Sequence, residues 1–368
     1  MELLKNVSLA EFTSFKIGGK ADYFCRVGSV AELQEALASA LGGRSLPIFI
    51  LGGGSNVLVG DDGFRGLVIK IEISGIVWEE KTHQMFAAYQ HLVRAGAGEN
   101  WDAFVAETIT RGLWGLENLS GIPGTVGGAP VQNIGAYGSE VRSVIEWVEV
   151  LDRRTNQQRK LSNAECAFAY RDSIFNRPEG KNYIITRVAF RLRADGAPNL
   201  SYKDLAERFS GKPTPSLAEV RSAVLEIRAK KFPDLDAHGT AGSFFKNPVV
   251  SREKFAELKK KFPELPGFIV PNLPLDKGEK PRALRGERGC VKSMDKEIKL
   301  PLAWILDKVC GLKGYSHDGA ALWKDQPLVL VNEGGASASD VETLAEKIVA
   351  VVKEKTGIEI EREVRTLA

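Results

Sequence analysis

Apolar positions recur at helical spacing in five places along the chain. Val30, Leu33, Leu37 and Leu41 follow Ser29-Val30-Ala31-Glu32, whose serine and glutamate have the form of a capping box. The pattern predicts a helix ended by Gly42-Gly43. Trp101, Phe104, Val105 and Ile109 predict a second helix, capped by Asn100 and ended by Gly112. A third opens at Ser216-Leu217-Ala218-Glu219 and runs to about Lys230, and Ser251–Phe262 reads as another. A long helix is expected after Ser339-Asp340-Val341-Glu342, with Val341, Leu344, Ile348, Val351 and Val352 inward and Gly357 at its end.

Short apolar or alternating runs predict strands. Ile48–Leu51 leads into Gly52-Gly53-Gly54-Ser55-Asn56 and then Val57-Leu58-Val59, which reads as strand, glycine loop, strand. Ile145–Leu151, Tyr183–Arg191 and Leu328–Val331 are further strands. In Ile358–Val364 the residues Ile358, Ile360 and Val364 share one face, with Glu359, Glu361, Glu363 and Arg365 on the other. The character changes from α/β to mostly strand near residue 72. Pro198 and Lys212-Pro213-Thr214-Pro215 mark a second boundary. Pro263–Lys299 is charged, weakly periodic and expected to be mostly loop.

The 368 residues fit two or three domains. Net charge is +3, from 50 basic and 47 acidic residues, which does not suggest bulk nucleic-acid binding. Lys259-Lys260-Lys261 reads as a solvated helix face. No apolar run approaches the roughly 20 residues of a membrane span, and Met1–Asn6 lacks the plan of a signal peptide. A cytoplasmic protein is expected. Cys25, Cys166, Cys290 and Cys310 have no CxxC spacing, and His83, His91, His238 and His317 are scattered, so no metal site is expected.

Four segments could carry chemistry. Gly52–Asn56 can converge backbone amides on an anion, or can be a tight turn; its spacing is neither a P-loop nor GxGxxG. Gly121–Gly128 is a second glycine loop, followed by Gln132–Gly138 with amides and an aromatic, and two such loops could grip one large nucleotide. Arg171 could pair with a substrate carboxylate or, more simply, with neighbouring Asp172. Ser243 lies in Gly239–Pro248, outside any GxSxG motif and with no histidine placed to activate it. It is a candidate proton donor, or a packing residue. Glu363 alone reads as a solvated carboxylate.

The ordered set resembles the UDP-N-acetylenolpyruvoylglucosamine reductases of bacterial peptidoglycan synthesis. The resemblance begins at Asn6–Leu9 and Thr13–Gly19, continues through Leu51–Asn56 and Ala95–Trp101, and peaks at Ile122–Gly138. Tyr170–Phe175, Ala241–Pro248 and Glu363-Val364-Arg365 complete it over nearly the whole chain. It implies an α+β protein: an FAD-binding fold of the vanillyl-alcohol-oxidase type in two subdomains, residues 1–72 with 364–368 and residues 73–212. An α+β substrate-binding domain, 213–363, completes it. It further implies that Gly52, Gly53, Gly54, Ser55, Asn56, Gly124, Thr125, Gly127, Gly128, Gln132 and Arg365 hold non-covalent FAD. NADPH would be the reductant. Arg171, Ser243 and Glu363 would be catalytic, and Tyr202, Lys231, Asn247 and Gln326 would bind the nucleotide sugar. The implied state is a monomer with no nucleic-acid or membrane partner. Another FAD oxidoreductase of the same flavin fold, or a non-catalytic nucleotide-sugar sensor, would share the glycine loops.

Overall fold

The computed structural model describes residues 1–41, 46–81, 90–270 and 297–368. Gly42-Gly43, His83, Cys290 and most of the charged stretch after Pro263 lie outside the described residues. Strands β1 (Leu4–Ser8) and β2 (Lys20–Val27), helix α1 (Val30–Leu41), and strands β3 (Ile48–Leu51), β4 (Val57–Val59) and β5 (Phe64–Ile71) come first. The sheet runs β1-β2-β5-β3, with β2, β5 and β3 parallel and β1 antiparallel at the edge. Parallel neighbours need a crossover, and α1 supplies it, burying Leu33, Ala36 and Leu37. Ser29 Oγ accepts the Glu32 N–H as expected, but the Glu32 carboxylate takes the Gly28 N–H, one residue earlier than a capping box.

Strands β6 (Ile76–Lys81) and β7 (Gln90–Gly96) join Ile145–Asp152, Gln157–Ser162 and Tyr183–Arg193 in a five-stranded antiparallel sheet. Helix α2 (Trp101–Thr110) is capped by Asn100, whose Oδ1 accepts the Ala103 N–H at 2.9 Å. Its Trp101 and Phe104 pack on Phe190, in one apolar core shared with α1 and β5. A separate core holds Phe244, Phe245, Leu330, Val341, Leu344 and Ile348, between the sheet containing Gly239–Ser243 and Val329–Asn332 and the helix Ala338–Thr356. Two further helices, α3 (Lys203–Phe209) and α4 (Leu217–Lys231), join the units. α4 has the expected Ser216–Glu219 capping box and packs Val220, Ala223 and Val224 against Tyr137 and Leu205. No helix among the described residues is long and apolar enough to cross a membrane.

Two expectations near the C-terminus need correction. The long helix is capped by Ser337, not Ser339, in a box with Asp340. The Ser339 N–H is instead taken by Asp61, which also accepts from Ala338. The stretch Ile358–Val364 buries Ile358, Ile360 and Val364 as its alternation predicts, yet makes only an isolated bridge from Arg362 to Phe245. The ladder lies beyond it, where Arg365–Leu367 pairs parallel with β4. Asp61 thus caps a helix 277 residues away. Asp61→Ala is expected to cost about 1 kcal/mol, with Asp61→Asn recovering part. Urea midpoints at unchanged slope would measure this.

Candidate active site

The two glycine segments meet. A Cβ on Gly53 would stand 2.7 Å from the Gly124 Cα, so the loops approach backbone to backbone, and Gly124 itself adopts φ +127°. Ser55 Oγ donates to the Pro123 carbonyl at 3.0 Å. Asn56 Nδ2 donates to Gln132 Oε1 at 2.8 Å and to the Glu363 carbonyl at 3.2 Å, tying both loops to the C-terminal segment. The Thr125 hydroxyl is buried and has no hydrogen-bond partner among the described residues.

These loops wall a cavity of about 300 Å³ that Arg171, Ser243 and Glu363 also line. Gly52, Thr125, Gly128 and Arg365 also border a second cavity of about 660 Å³, where Gly127 lies. The two cavities share these lining residues and so adjoin. Their lining fits a dinucleotide: the glycine loop Gly52–Asn56 and the free Thr125 hydroxyl suit a diphosphate, and apolar walls such as Ile50, Val131 and Ile184 suit flat rings.

Arg171 occupies the third position of the turn Ala169–Asp172, with φ +52°. A type II turn needs positive φ there and usually takes glycine. Arginine in this region carries strain of order 1–3 kcal/mol, and such strain gathers at working sites. Asn133 Nδ2 donates to the Ala169 carbonyl at 2.9 Å and pins the turn. Arg171 Nη2 donates to the Gly135 carbonyl at 2.7 Å. Its Nε lies 3.0 Å from Glu363 Oε1, but the N–H is not aimed at that oxygen and is left without a hydrogen bond. The simpler sequence reading, an Arg171–Asp172 pair, is not what forms: Asp172 binds Arg177 at 2.7 and 2.9 Å.

Glu363 does not share a solvated face with Glu359 and Glu361. Its side chain is 10% exposed, and its N–H donates to the Phe244 carbonyl at 2.8 Å, beside Ser243. Burial raises its carboxyl above the usual range, and the charges of Arg171 and Lys246 offset only part of that. Ser243 ends its strand after a bulge at Thr240–Ser243, with Gly242 at φ +75° in open space. Among the described residues no histidine lines this cavity.

The expected substrate residues are placed apart. The Lys231 ammonium pairs with Asp204 and lies 5.6 Å from the Tyr202 ring, which meets Tyr137 edge-on at 5.2 Å. Asn247 Oδ1 accepts the Leu302 N–H at 2.9 Å, and the Tyr170 hydroxyl meets Asn247. Gln326 sits in the turn after Trp323. Among the described residues no hydrogen bond, ion pair or ring contact joins Asn247 or Gln326 to the Tyr202–Lys231 pair. Sequence reading missed Arg228, which lines the first cavity from α4 with its charge desolvated beside Tyr137. The only signal for it was a basic residue on a capped helix. Burial raises the Cys25, Cys166 and Cys310 thiols to about 11, about 12 and about 11, which makes them poor nucleophiles.

Residues 21–161 match the FAD binding domain family, and residues 234–367 match the UDP-N-acetylenolpyruvoylglucosamine reductase C-terminal domain family. The chain is 39% identical over 367 residues to the UDP-N-acetylenolpyruvoylglucosamine reductase of Chromobacterium violaceum, covering 99% of this chain and 98% of that one. It is 40% identical over 357 residues to the Cupriavidus pinatubonensis reductase, covering 96% of each. The crystal structure of the Thermus caldophilus reductase, 24% identical, aligns over 100% of this chain and 98% of its own with a TM-score of 0.62, a likeness of fold.

Proposed function

We infer what each residue does from one premise: the chain belongs to the UDP-N-acetylenolpyruvoylglucosamine reductase family. Its activity is the FAD-dependent reduction of UDP-N-acetylglucosamine enolpyruvate to UDP-N-acetylmuramate in peptidoglycan synthesis. The observation that carries the residue-level reading is the convergence of both glycine loops with Arg171, Ser243 and Glu363 on one cavity. Residues 1–72 with 364–368, and residues 73–212, form the two halves of a vanillyl-alcohol-oxidase type FAD fold, and 213–363 form the substrate unit. The pairing of Arg365–Leu367 with β4 supports the first grouping, and the separate core around Phe244 supports the last. α4 nevertheless packs on the middle unit.

Gly52, Gly53, Gly54, Ser55, Asn56, Gly124, Thr125, Gly127, Gly128, Gln132 and Arg365 hold FAD non-covalently, the Thr125 hydroxyl supplying a donor with no other partner. When bound, FAD supplies the ring that accepts hydride from NADPH and returns it to the enolpyruvyl carbon. Arg171 places a guanidinium, with one N–H free, where the substrate carboxylate gains charge. Ser243 donates a proton to the carbon next to that carboxylate. Glu363, held protonated longer by burial, meets the carboxylate without full repulsion and orients Arg171. Tyr202, Lys231, Asn247 and Gln326 bind the uridine diphosphate. Lys231 reaches phosphate only by exchanging its Asp204 partner. The enzyme works as a cytoplasmic monomer. The purified protein is tested by its absorption spectrum: NADPH added without oxygen should bleach a flavin band, and the enolpyruvyl nucleotide sugar should restore it. A colourless protein after FAD is supplied would reject the reading.

The Glu363 shift has a stability consequence. Its pKa is raised from 4.5 in the folded protein, so the folded form keeps the proton longer than the unfolded chain as pH rises. Stability therefore falls between the unfolded value and the higher folded one. Glu363→Gln removes this titration. Its urea midpoint should drop less than the wild-type midpoint between pH 4.5 and about pH 8. Equal drops would place Glu363 in water.

A further inference from the structure

We propose that Arg153 binds the adenylyl half of FAD and sets the preference for FAD over FMN, an inference that rests on the flavin reading above. The catalytic residues occupy the first chamber, so a dinucleotide with its reacting ring there must lay its other half in the second, about 660 Å³ in volume. Arg153 lines that second chamber, at the tip of the hairpin joining Ile145–Asp152 to Gln157–Ser162. Its backbone N–H is fixed to the Asn182 carbonyl at 2.9 Å.

Adjacent arginines at this tip have opposite fates. Arg154 closes on the buried Asp152 with bonds of 3.1 and 2.8 Å, and its side chain is 60% exposed. Arg153 turns the other way and has no ion-pair partner among the described residues. Burial lowers its pKa, with no acid opposing. Of the other cations around the chamber, Arg177 is engaged by Asp172, Arg365 reaches the Asn176 amide oxygen, and Lys181, which also has no ion-pair partner among the described residues, is exposed to solvent. A half-buried arginine without an anion is costly unless a ligand supplies one, and its planar guanidinium serves a phosphate or the face of a purine.

The test measures flavin affinity, not turnover. Flavin-stripped protein that regains its colour with FAD is titrated with FAD and with FMN, following flavin fluorescence. Arg153→Met should raise the FAD dissociation constant about tenfold, the loss of one charge-assisted contact, and leave FMN binding unchanged. Arg153→Lys should fall between. Competition by 5′-AMP but not adenosine would assign the contact to the phosphate, and competition by both to the purine. Unchanged FAD affinity, or equal weakening of FAD and FMN, would overturn the proposal. Wild-type protein that binds no FAD would overturn the flavin reading instead. Should Arg153→Met not refold, Arg153→Lys against wild type gives the same FAD-to-FMN comparison.

Discussion

Replacing Ser243 by alanine is expected to leave FAD content and bleaching by NADPH near wild type, while recovery of the flavin band on adding the enolpyruvyl substrate slows by about 10²–10⁴-fold. The serine enters the chemistry only when the substrate carbon needs a proton, so the first half-reaction should not notice its loss. Three features of the site support this division. Ser243 faces the cavity shared with Arg171 and Glu363, and its neighbour Phe244 accepts the Glu363 N–H, which fixes their relation through the backbone. Among the described residues no histidine lines the cavity to make the serine a nucleophile. The substitution removes one hydroxyl and almost no volume, so folding should survive. Ser243→Cys should regain part of the rate, because a thiol also carries a transferable proton. Stopped-flow spectra taken separately for each half-reaction decide the matter, and equal losses in both would remove Ser243 from the catalytic set.

Arg171 gives the second large effect, and here a pair of substitutions separates the guanidinium from the backbone conformation. Arg171→Ala is expected to lower kcat by about 10²–10³-fold, the usual cost of removing a positioned donor from developing charge. Arg171→Lys should recover little, since an ammonium cannot hold the Gly135 carbonyl and a carboxylate with one planar fork. Arg171→Gly should be as inactive as the alanine variant yet more stable than it by roughly 1 kcal/mol, because glycine accepts φ +52° without strain. Urea titration of the alanine and glycine pair isolates this backbone effect, as both lose the same guanidinium. A glycine variant no more stable than alanine would mean that the turn relaxes around either residue.

Much of the framework was legible in the sequence because it depends on near neighbours. The helices at Val30, Trp101, Leu217 and Arg252 follow from periodicity and from a serine or asparagine at the cap, both set within a few residues. The strand–loop–strand over Ile48–Val59 follows from apolar runs flanking glycines. The long helix starts two residues earlier than expected, because Ser337 rather than Ser339 forms the box with Asp340, three residues on; what no local pattern contains is Asp61, which takes the N–H groups of Ala338, 277 residues away, and of Ser339. The alternation in Ile358–Val364 reported burial correctly but not pairing, because a ladder needs a partner strand and the neighbouring backbone supplies only one bridge.

The chemistry divides along the same line. The residue types that can grip a diphosphate, donate a proton and meet a carboxylate stand openly in Gly52–Asn56, Ile122–Gly138, Tyr170–Ser173 and Ala241–Pro248, and their order alone resembles the family to which the chain belongs. What a sequence cannot carry is which charges meet and how dry they become. Arg171 beside Asp172 looked like a local pair, and Glu363 in a row of acids looked solvated. Folding turns Asp172 to Arg177 and brings Glu363 across 192 residues to within 3.0 Å of Arg171, a separation read from their numbers. Electrostatic energy depends on distance and on exclusion of water, and both arise only when separate units close around one cleft. Local sequence therefore determined the elements and the inventory of reactive groups. Tertiary packing decided the pairing of Arg171 with Glu363, the raised pKa of that glutamate and the second chamber, which Arg153 lines with no ion-pair partner among the described residues.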